Sequence, residues 1–370
     1  MTDHTSRVMA LDTNAPWIRA IFQAMPADVH VDAIEVQEPR AFLRKERAGA
    51  VRALGWNSIQ PSYRTRTIPV PGLRRFRRLS ARVVRRALGQ PRPDVLALTN
   101  PWHVHAFERL EAGLKVYYPS DAFEYYEWPH AATHAREQVA LDTADLVLAM
   151  SVQQSEDFRE RTRTEVIHFP NAVEREFVSA LASNPTPASD VDRAGYDAIV
   201  GCVGRINDTY DWAFIDGLVE ALPNVRFVFV GPVTGANVVD PERIRRSLDQ
   251  PNVLWLGERD HALVPSYLAS FDICLNPLAQ NDHNDRRCPL RLYDYMATHR
   301  PILSTAIREA SEFGDGVQVA AGVAEGCEMI RAVLRGGLQP ETASRENWLR
   351  DNTWHARARE FAALMNERTP

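Results

Sequence analysis

The sequence predicts an α/β protein of two parallel-sheet domains, on three observations. At 370 residues the chain is long enough for two ordinary domains, each with its own core. Short apolar runs ending in glycine or polar residues alternate with helical segments, the pattern of successive βα units. Residues 179–194 (SALASNPTPASDVDRA) have the Ser, Pro and Ala content of a linker between the two halves.

Composition narrows the function classes. Hydrophobic residues make up 45% and charged residues 25%, values of a water-exposed globular fold, and no apolar run approaches the roughly 18 residues of a membrane span. The first residues, MTDHTSRVMALDTN, lack the basic start and apolar stretch of a signal peptide, so a cytoplasmic protein is expected. A net charge of −5 leaves no surplus of cations to neutralise a phosphate backbone, which excludes a general nucleic-acid binder. Cys202, Cys274, Cys288 and Cys327 show no C-x-x-C spacing and are expected to be reduced core residues.

Taken in order, RVMAL at 7–11 predicts a strand, Asp12-Thr13-Asn14 a loop and 15–25 a helix. A second strand is predicted at 29–36, followed by a polar segment at 38–50. In 72–88, Leu73, Phe76, Leu79, Val83, Val84 and Leu88 recur at helical spacing among seven arginines. Such a helix either packs its stripe on the domain or lies on an anionic membrane face, the latter making sense for a lipid-linked acceptor. DVLALT at 94–99 predicts a buried strand with His103 and His105 in the loop at its carboxyl end. The next strand, 115–118, ends in a loop carrying Asp121. Ligands of open α/β sheets sit at such strand ends. The His-x-His pair lacks a third ligand at a recognisable spacing, so no metal is expected. A further strand ends at Met150, and Ser151 is placed to cap the helix after it.

The second half opens with the strand 198–203, which leads into Gly204-Arg205, a glycine that lets backbone approach a phosphate and a guanidinium that can pair with it. Strand-plus-turn units repeat at 225–232, 253–258 and 272–277, making four βα units in succession. Residues 286–305, RRCPLRLYDYMATHRPILST, then predict a helix starting near Cys288 and a short buried strand from Pro301. Its apolar side is Leu292, Tyr293, Met296 and Ala297. The amino end of this helix, at Pro289 and Leu290 with Arg286 and Arg287 just before it, suits a di-anionic phosphate. Asp294, about five residues further at roughly 1.5 Å each, lies at the offset of a ribose diol from its pyrophosphate. After a loop at 306–314 come a strand at 317–320, a helix at 323–334 and a last helix to Met365, with Thr353 as its cap.

At 286–305 the chain resembles the sugar-nucleotide-dependent glycosyltransferases of the GT-B fold, group 1 family, with their P-L-K-L-x-E-Y-x-A-x-G-x-P signature. The matches are Pro289, Leu290, Arg291 for Lys, Leu292, Asp294 for Glu, Tyr295, Ala297, His299 for Gly and Pro301. Further matches are Gly204-Arg205, the hinge-like Pro170-Asn171-Ala172-Val173 and Asn352-Thr353-Trp354. The resemblance implies two Rossmann-like domains facing a cleft, with a C-terminal helix crossing back to the first. It assigns 1–173 with 354–370 to an acceptor-side domain and 174–353 to a nucleotide-sugar domain, with the linker at about 179–194.

The resemblance also implies roles. Gly204, Arg205, Arg286, Arg287, Pro289, Leu290 and Asp294 would bind the donor; Arg205 would stabilise the departing diphosphate, and His103 or Asp121 would act on the acceptor side. No metal or cofactor is implied, the nucleoside-diphosphate sugar being a co-substrate, and the acceptor would be a glycan, a lipid-linked glycan or a small molecule. Many retaining relatives carry an acidic residue eight positions before the ribose-binding one; here that position is Arg286. The Lys that relatives place five or six residues after Gly-Arg is also missing, so its charge would come from Arg286 or Arg287. These departures sustain an alternative, a catalytically silent nucleotide-binding or scaffold module of a polysaccharide assembly system. A third reading is a hydrolysing sugar-nucleotide epimerase. Retention or inversion is left open.

Overall fold

The computed structural model describes residues 6–37, 62–69, 92–125, 130–235, 238–337 and 340–369. The polar segment at 38–50 and the arginine-rich stretch at 72–88 lie outside them. The chain forms two compact units, Met1–Glu174 with Thr353–Pro370, and Arg175–Asn352. These boundaries fall one residue from the predicted ones.

The first unit holds a seven-stranded parallel sheet of β1 (Ser6–Leu11), β2 (Val29–Gln37), β3 (Tyr63–Pro69), β4 (Val95–Leu98), β5 (Leu114–Tyr117), β6 (Leu146–Ala149) and β7 (Val166–His168). Their order is β3-β2-β1-β4-β5-β6-β7. β4 and β6, VLAL and LVLA, are buried throughout, because helices cover both faces of a parallel sheet. Phe107, Leu141 and Phe158 from three such helices share a core with Leu96, Leu98 and Val147. β3 has no counterpart among the predicted strands. It is an edge strand in which Arg64, Thr65 and Arg66 are exposed, so no apolar run announces it.

The last helix, Trp354–Asn366, returns to this unit as the resemblance implies. The Thr353 hydroxyl accepts from the Ala356 amide at 3.2 Å, and the Trp354 amide donates to the Val173 carbonyl at 3.0 Å. Phe361 then packs edge-on against Phe22 and Phe169, at 5.7 and 6.2 Å between centroids.

The second unit repeats the plan with β8 (Ala198–Val203), β9 (Val225–Val230), β10 (Val253–Gly257), β11 (Ile273–Asn276), β12 (Ile302–Thr305) and β13 (Gln318–Ala320), all parallel in the order β10-β9-β8-β11-β12-β13. In both sheets the winding reverses beside the first strand, at β1/β4 and β8/β11, and ligands of doubly wound sheets bind at the carboxyl ends of such switch points. The expected linker is corrected here: Arg175–Ala182 is a helix, and the following stretch is tied to the second unit. The Ala188 amide donates to the Ser270 hydroxyl at 2.9 Å, and Asp190 accepts from Tyr267 at 3.0 Å. Residues 308–316, expected as loop, form 3₁₀ turns. All four cysteines are buried thiols. Among the described residues no helix is long and apolar enough to cross a membrane.

Candidate active site

At the carboxyl end of β8, Gly204 has φ +131°, a conformation side chains resist, and its amide donates to the Val230 carbonyl at 2.9 Å. Gly231, which follows β9 with φ +148°, lies directly on it: a Cβ there would sit 1.9 Å from the Gly204 carbonyl oxygen. Arg205 is exposed at the same turn. Two cross-links hold this end of the sheet. Asn284, with no exposed surface, donates through Nδ2 to the carbonyls of Thr209 and Ala279, at 3.0 and 2.7 Å, joining the loops after β8 and β11 to the short helix Asp282–Asp285.

The Tyr295 hydroxyl accepts from the Val203 amide at 2.9 Å and donates to the Leu275 carbonyl at 3.3 Å, bridging β8 and β11 where they diverge. Tyr295→Phe would leave both buried backbone groups unpaired. We expect a loss of about 1–3 kcal/mol, read as a lower urea midpoint.

The helix of the signature runs Leu290–Met296, two residues later than the predicted start, with Pro289 as its N-cap at φ −72°, ψ 108°. Pro289 has no N–H, so it shapes the turn while the amides of Leu290 and Arg291 are the ones without a helical partner. Tyr293 docks the helix between Phe313 and Trp348, at 5.1 and 5.6 Å between centroids. The helix stops because His299 takes φ +54°, the left-handed position relatives give to glycine. The Arg300 amide then donates to the Thr298 hydroxyl at 3.0 Å.

Arg291 is the cation the structure sets against Gly204. Its guanidinium lies 3.1 Å from where a Gly204 Cβ would be, donates to Cys202 Sγ at 3.2 Å and covers the Tyr210 ring at 4.9 Å. Reasoning from sequence registered Arg291 only as a replacement for Lys and looked to Arg286 and Arg287 for the missing charge. Those two are half-buried; Arg286 donates to the Asp282 carbonyl at 3.0 Å, and the Arg287 amide to that of Asn284 at 3.2 Å. Asp294, three residues after Arg291 and so on the same helix face, keeps part of its surface open. Burial pushes its carboxyl up to about 7, while the Arg291 charge pulls it down.

In the first unit the other switch point carries His103, Asp12 and Asn100. His103 Nε2 stands 3.3 Å from Asp12 Oδ2, and Asn100 Nδ2 donates to the same oxygen at 2.8 Å. Asp12 has φ +68°, so an aspartate takes the strained turn of a glycine-free loop. His105 Nδ1 instead meets Glu108 Oε2 at 3.1 Å, so the two imidazoles of His-x-His engage different carboxylates. Asp121, in the loop after β5, accepts from the Ala122 amide at 2.9 Å. Asp12 was legible only as part of a loop, since nothing in the sequence pairs it with a residue 91 positions away.

With the fold and this end of the second sheet described, comparison with known proteins is decisive for that unit. The family model described as "Glycosyl transferases group 1" matches residues 197–335. The second unit is a group 1 glycosyltransferase domain. Over 151 residues the chain is 30% identical to "Putative teichuronic acid biosynthesis glycosyltransferase TuaH" of Bacillus subtilis; the alignment covers 40% of this chain and 36% of that relative. Among solved structures, sucrose-phosphate synthase of Thermosynechococcus elongatus superposes with a TM-score of 0.71 at 14% identity, covering 98% of each chain. The E. coli trehalose-6-phosphate structure bound with UDP-2-fluoro glucose gives 0.69 at 12% identity, covering 97% of this chain and 99% of that one. The fold is therefore GT-B, two parallel-sheet α/β domains.

Proposed function

We propose that the protein transfers a sugar from a nucleoside-diphosphate sugar, gripped by its group 1 domain, to a hydroxyl presented on its first domain. The observation that carries the reading is Arg291 lying against Gly204, with Asp294 three residues along the same helix face. This arrangement offers a cation and close backbone to a diphosphate and a carboxyl to the ribose hydroxyls. Arg205, Arg291 and the free amides of Leu290 and Arg291 stabilise the charge that grows as the sugar departs. In this reading no divalent cation is required, and rates in chelator equal those in magnesium. The neighbour bound with UDP-2-fluoro glucose makes a UDP-sugar the first donor to test. The relative named for teichuronic acid biosynthesis supports a glycan acceptor.

The test is calorimetric titration with UDP, GDP, ADP, CDP and dTDP in the absence of metal. We expect one to bind selectively, and Arg205→Ala to weaken it about tenfold, or 1.4 kcal/mol. No binding at millimolar concentration by any of them would sink the donor-site reading. Arg286 in place of a carboxylate favours a second reading, a module that binds the nucleotide without turnover. Binding with no nucleoside diphosphate released from any nucleotide sugar would decide for it.

A further inference from the structure

We propose that Glu124 and Glu137, which share one guanidinium nitrogen of Arg161, form a proton-operated latch on the loop after β5. With a proton on the pair, the turn 121–125 is held against the helices His130–Thr143 and Val152–Arg161; without it, the turn is released. The device lies wholly within the first unit and works without a ligand. It governs a loop that carries Asp121 at the carboxyl end of a parallel strand, where ligands of such sheets sit.

The cluster draws on four elements. Glu137 stands on the helix His130–Thr143, Arg161 ends the helix Val152–Arg161, Glu124 belongs to the 3₁₀ turn Phe123–Tyr125 and Tyr117 closes β5. Arg161 Nη1 donates to Glu137 Oε2 at 2.8 Å and to Glu124 Oε1 at 3.0 Å. The Tyr117 hydroxyl donates to Glu137 Oε1 at 3.1 Å, and His134 Nδ1 meets Glu124 Oε1 at 2.7 Å. Arg161 Nη2 is buried with no partner among the described residues, so a single nitrogen serves both carboxyls.

Glu137 is 3% exposed, and two carboxylates at one guanidinium nitrogen in a buried site cannot both ionise without cost. One proton therefore stays on the pair. Burial, opposed by the Arg161 charge and reinforced by Glu124, pushes Glu137 up to about 7. Burial would raise Glu124 as well, but its hydrogen bond with Glu137, the Arg161 charge and His134 hold it below its ordinary value. Protonated Glu137 thus donates to an ionised Glu124. Burial and the charge of Glu137 hold the Tyr117 phenol well above its ordinary 10, so it remains a donor throughout.

The turn is the partner able to leave. Its near end is pinned, since the Ser120 amide donates to the Thr99 carbonyl at 2.9 Å and the Ser120 carbonyl accepts from Trp17 Nε1 at 2.8 Å. Beyond Ser120 the backbone bonds are local, from the Phe123 amide to the Asp121 carbonyl at 3.0 Å and from the Tyr125 amide to the Ala122 carbonyl at 3.2 Å. Burial of Ala122 and Phe123 sets how firmly the turn rests, and the Glu124 ties set how that varies with pH. When Glu137 ionises, the repulsion falls on Glu124, the more exposed carboxyl, which swings out with its turn. Glu137 then faces Arg161 alone and falls toward its ordinary 4.5. The closed form holds a proton that the open form gives up, so opening grows as pH rises toward about 7 and levels off above it.

The test is hydrogen exchange of the Phe123 and Tyr125 amides in the unliganded full chain, expressed as protection so that the intrinsic pH dependence cancels. We expect protection to fall about threefold or more from pH 6 to pH 8, and to stay level in Glu137→Gln, which mimics the protonated group. Glu124→Gln removes the like charge at the more exposed carboxyl and should also flatten the profile, which keeps the test open if Glu137→Gln does not fold. In ¹³C-glutamate-labelled protein, one carboxyl signal should titrate near pH 7 and be missing from Glu137→Gln. Equal protection at pH 6 and 8 overturns the latch. So does a pH dependence that persists in Glu137→Gln, which would belong to His134 or another group, or a Glu137 carboxyl ionised throughout that range.

Discussion

Gly231→Ala should destabilise the second domain by about 3 kcal/mol or more and abolish measurable nucleotide binding. The added Cβ would stand 1.9 Å from the carbonyl oxygen of Gly204 and 2.7 Å from its carbonyl carbon, and both atoms are backbone, so no rotamer change relieves the clash. Forcing a residue with a side chain to φ +148° costs roughly 1–3 kcal/mol, and overpacking a close contact a similar amount. The Gly204 amide is bonded to the Val230 carbonyl and the Gly231 amide to that of Gly257 at 2.8 Å, so the strands cannot separate locally without breaking the ladder. Gly204 and Arg205 must then move, and they form the turn proposed to meet the phosphates. A thermal scan in which Tm falls by about 6 °C or more, with calorimetry showing no binding, is the expected outcome. An unchanged Tm would mean that the two turns do not touch.

The legible parts of this molecule are those in which physics is local. β8, β9 and β11 are short buried apolar runs ending in glycine or polar residues, and a parallel sheet covered on both faces writes that pattern directly. The signature helix was legible for the same reason: the period that buries Leu292, Tyr293 and Met296 leaves Asp294 on another face. β3 was not legible, because an edge strand pairs through its backbone and its exposed Arg64, Thr65 and Arg66 carry no burial signal.

Long-range side-chain partnerships were equally silent. Arg291 reaches Cys202 across 89 residues, Asn284 reaches Thr209 across 75, and His103 meets Asp12 only because β1 and β4 are neighbours in the sheet. The linker was misread because Ser, Pro and Ala content reports the absence of an apolar pattern. It cannot reveal that Ala188 and Asp190 are pinned to Ser270 and Tyr267.

Asp294 should make nucleotide affinity fall with pH, in a sense its environment fixes. Burial raises its carboxyl to about 7, so below that pH the free protein holds it protonated. Accepting two ribose hydroxyls favours the ionised form, so binding releases a proton and weakens as pH drops through about 7. Measured with a nucleotide sugar, whose phosphates stay ionised throughout, affinity at pH 6 should be about tenfold below that at pH 8. Asp294→Asn should flatten this dependence, and Asp294→Ala should weaken binding at pH 8 by more than tenfold, about 1.4 kcal/mol. Stability runs the other way. A carboxyl raised in the folded state from an ordinary 3.8 favours the protonated native protein, so its contribution is lost as pH rises through about 7. Asp294→Asn should therefore raise Tm of the unliganded protein at pH 6 and 8 and leave it nearly unchanged at pH 3, below the unfolded value. A buried carboxyl that costs stability at pH 8 fits the proposed ribose contact, since packing alone would have selected the amide. Equal affinities at pH 6 and 8, or an Asp294→Ala variant that binds normally, would remove Asp294 from the donor site.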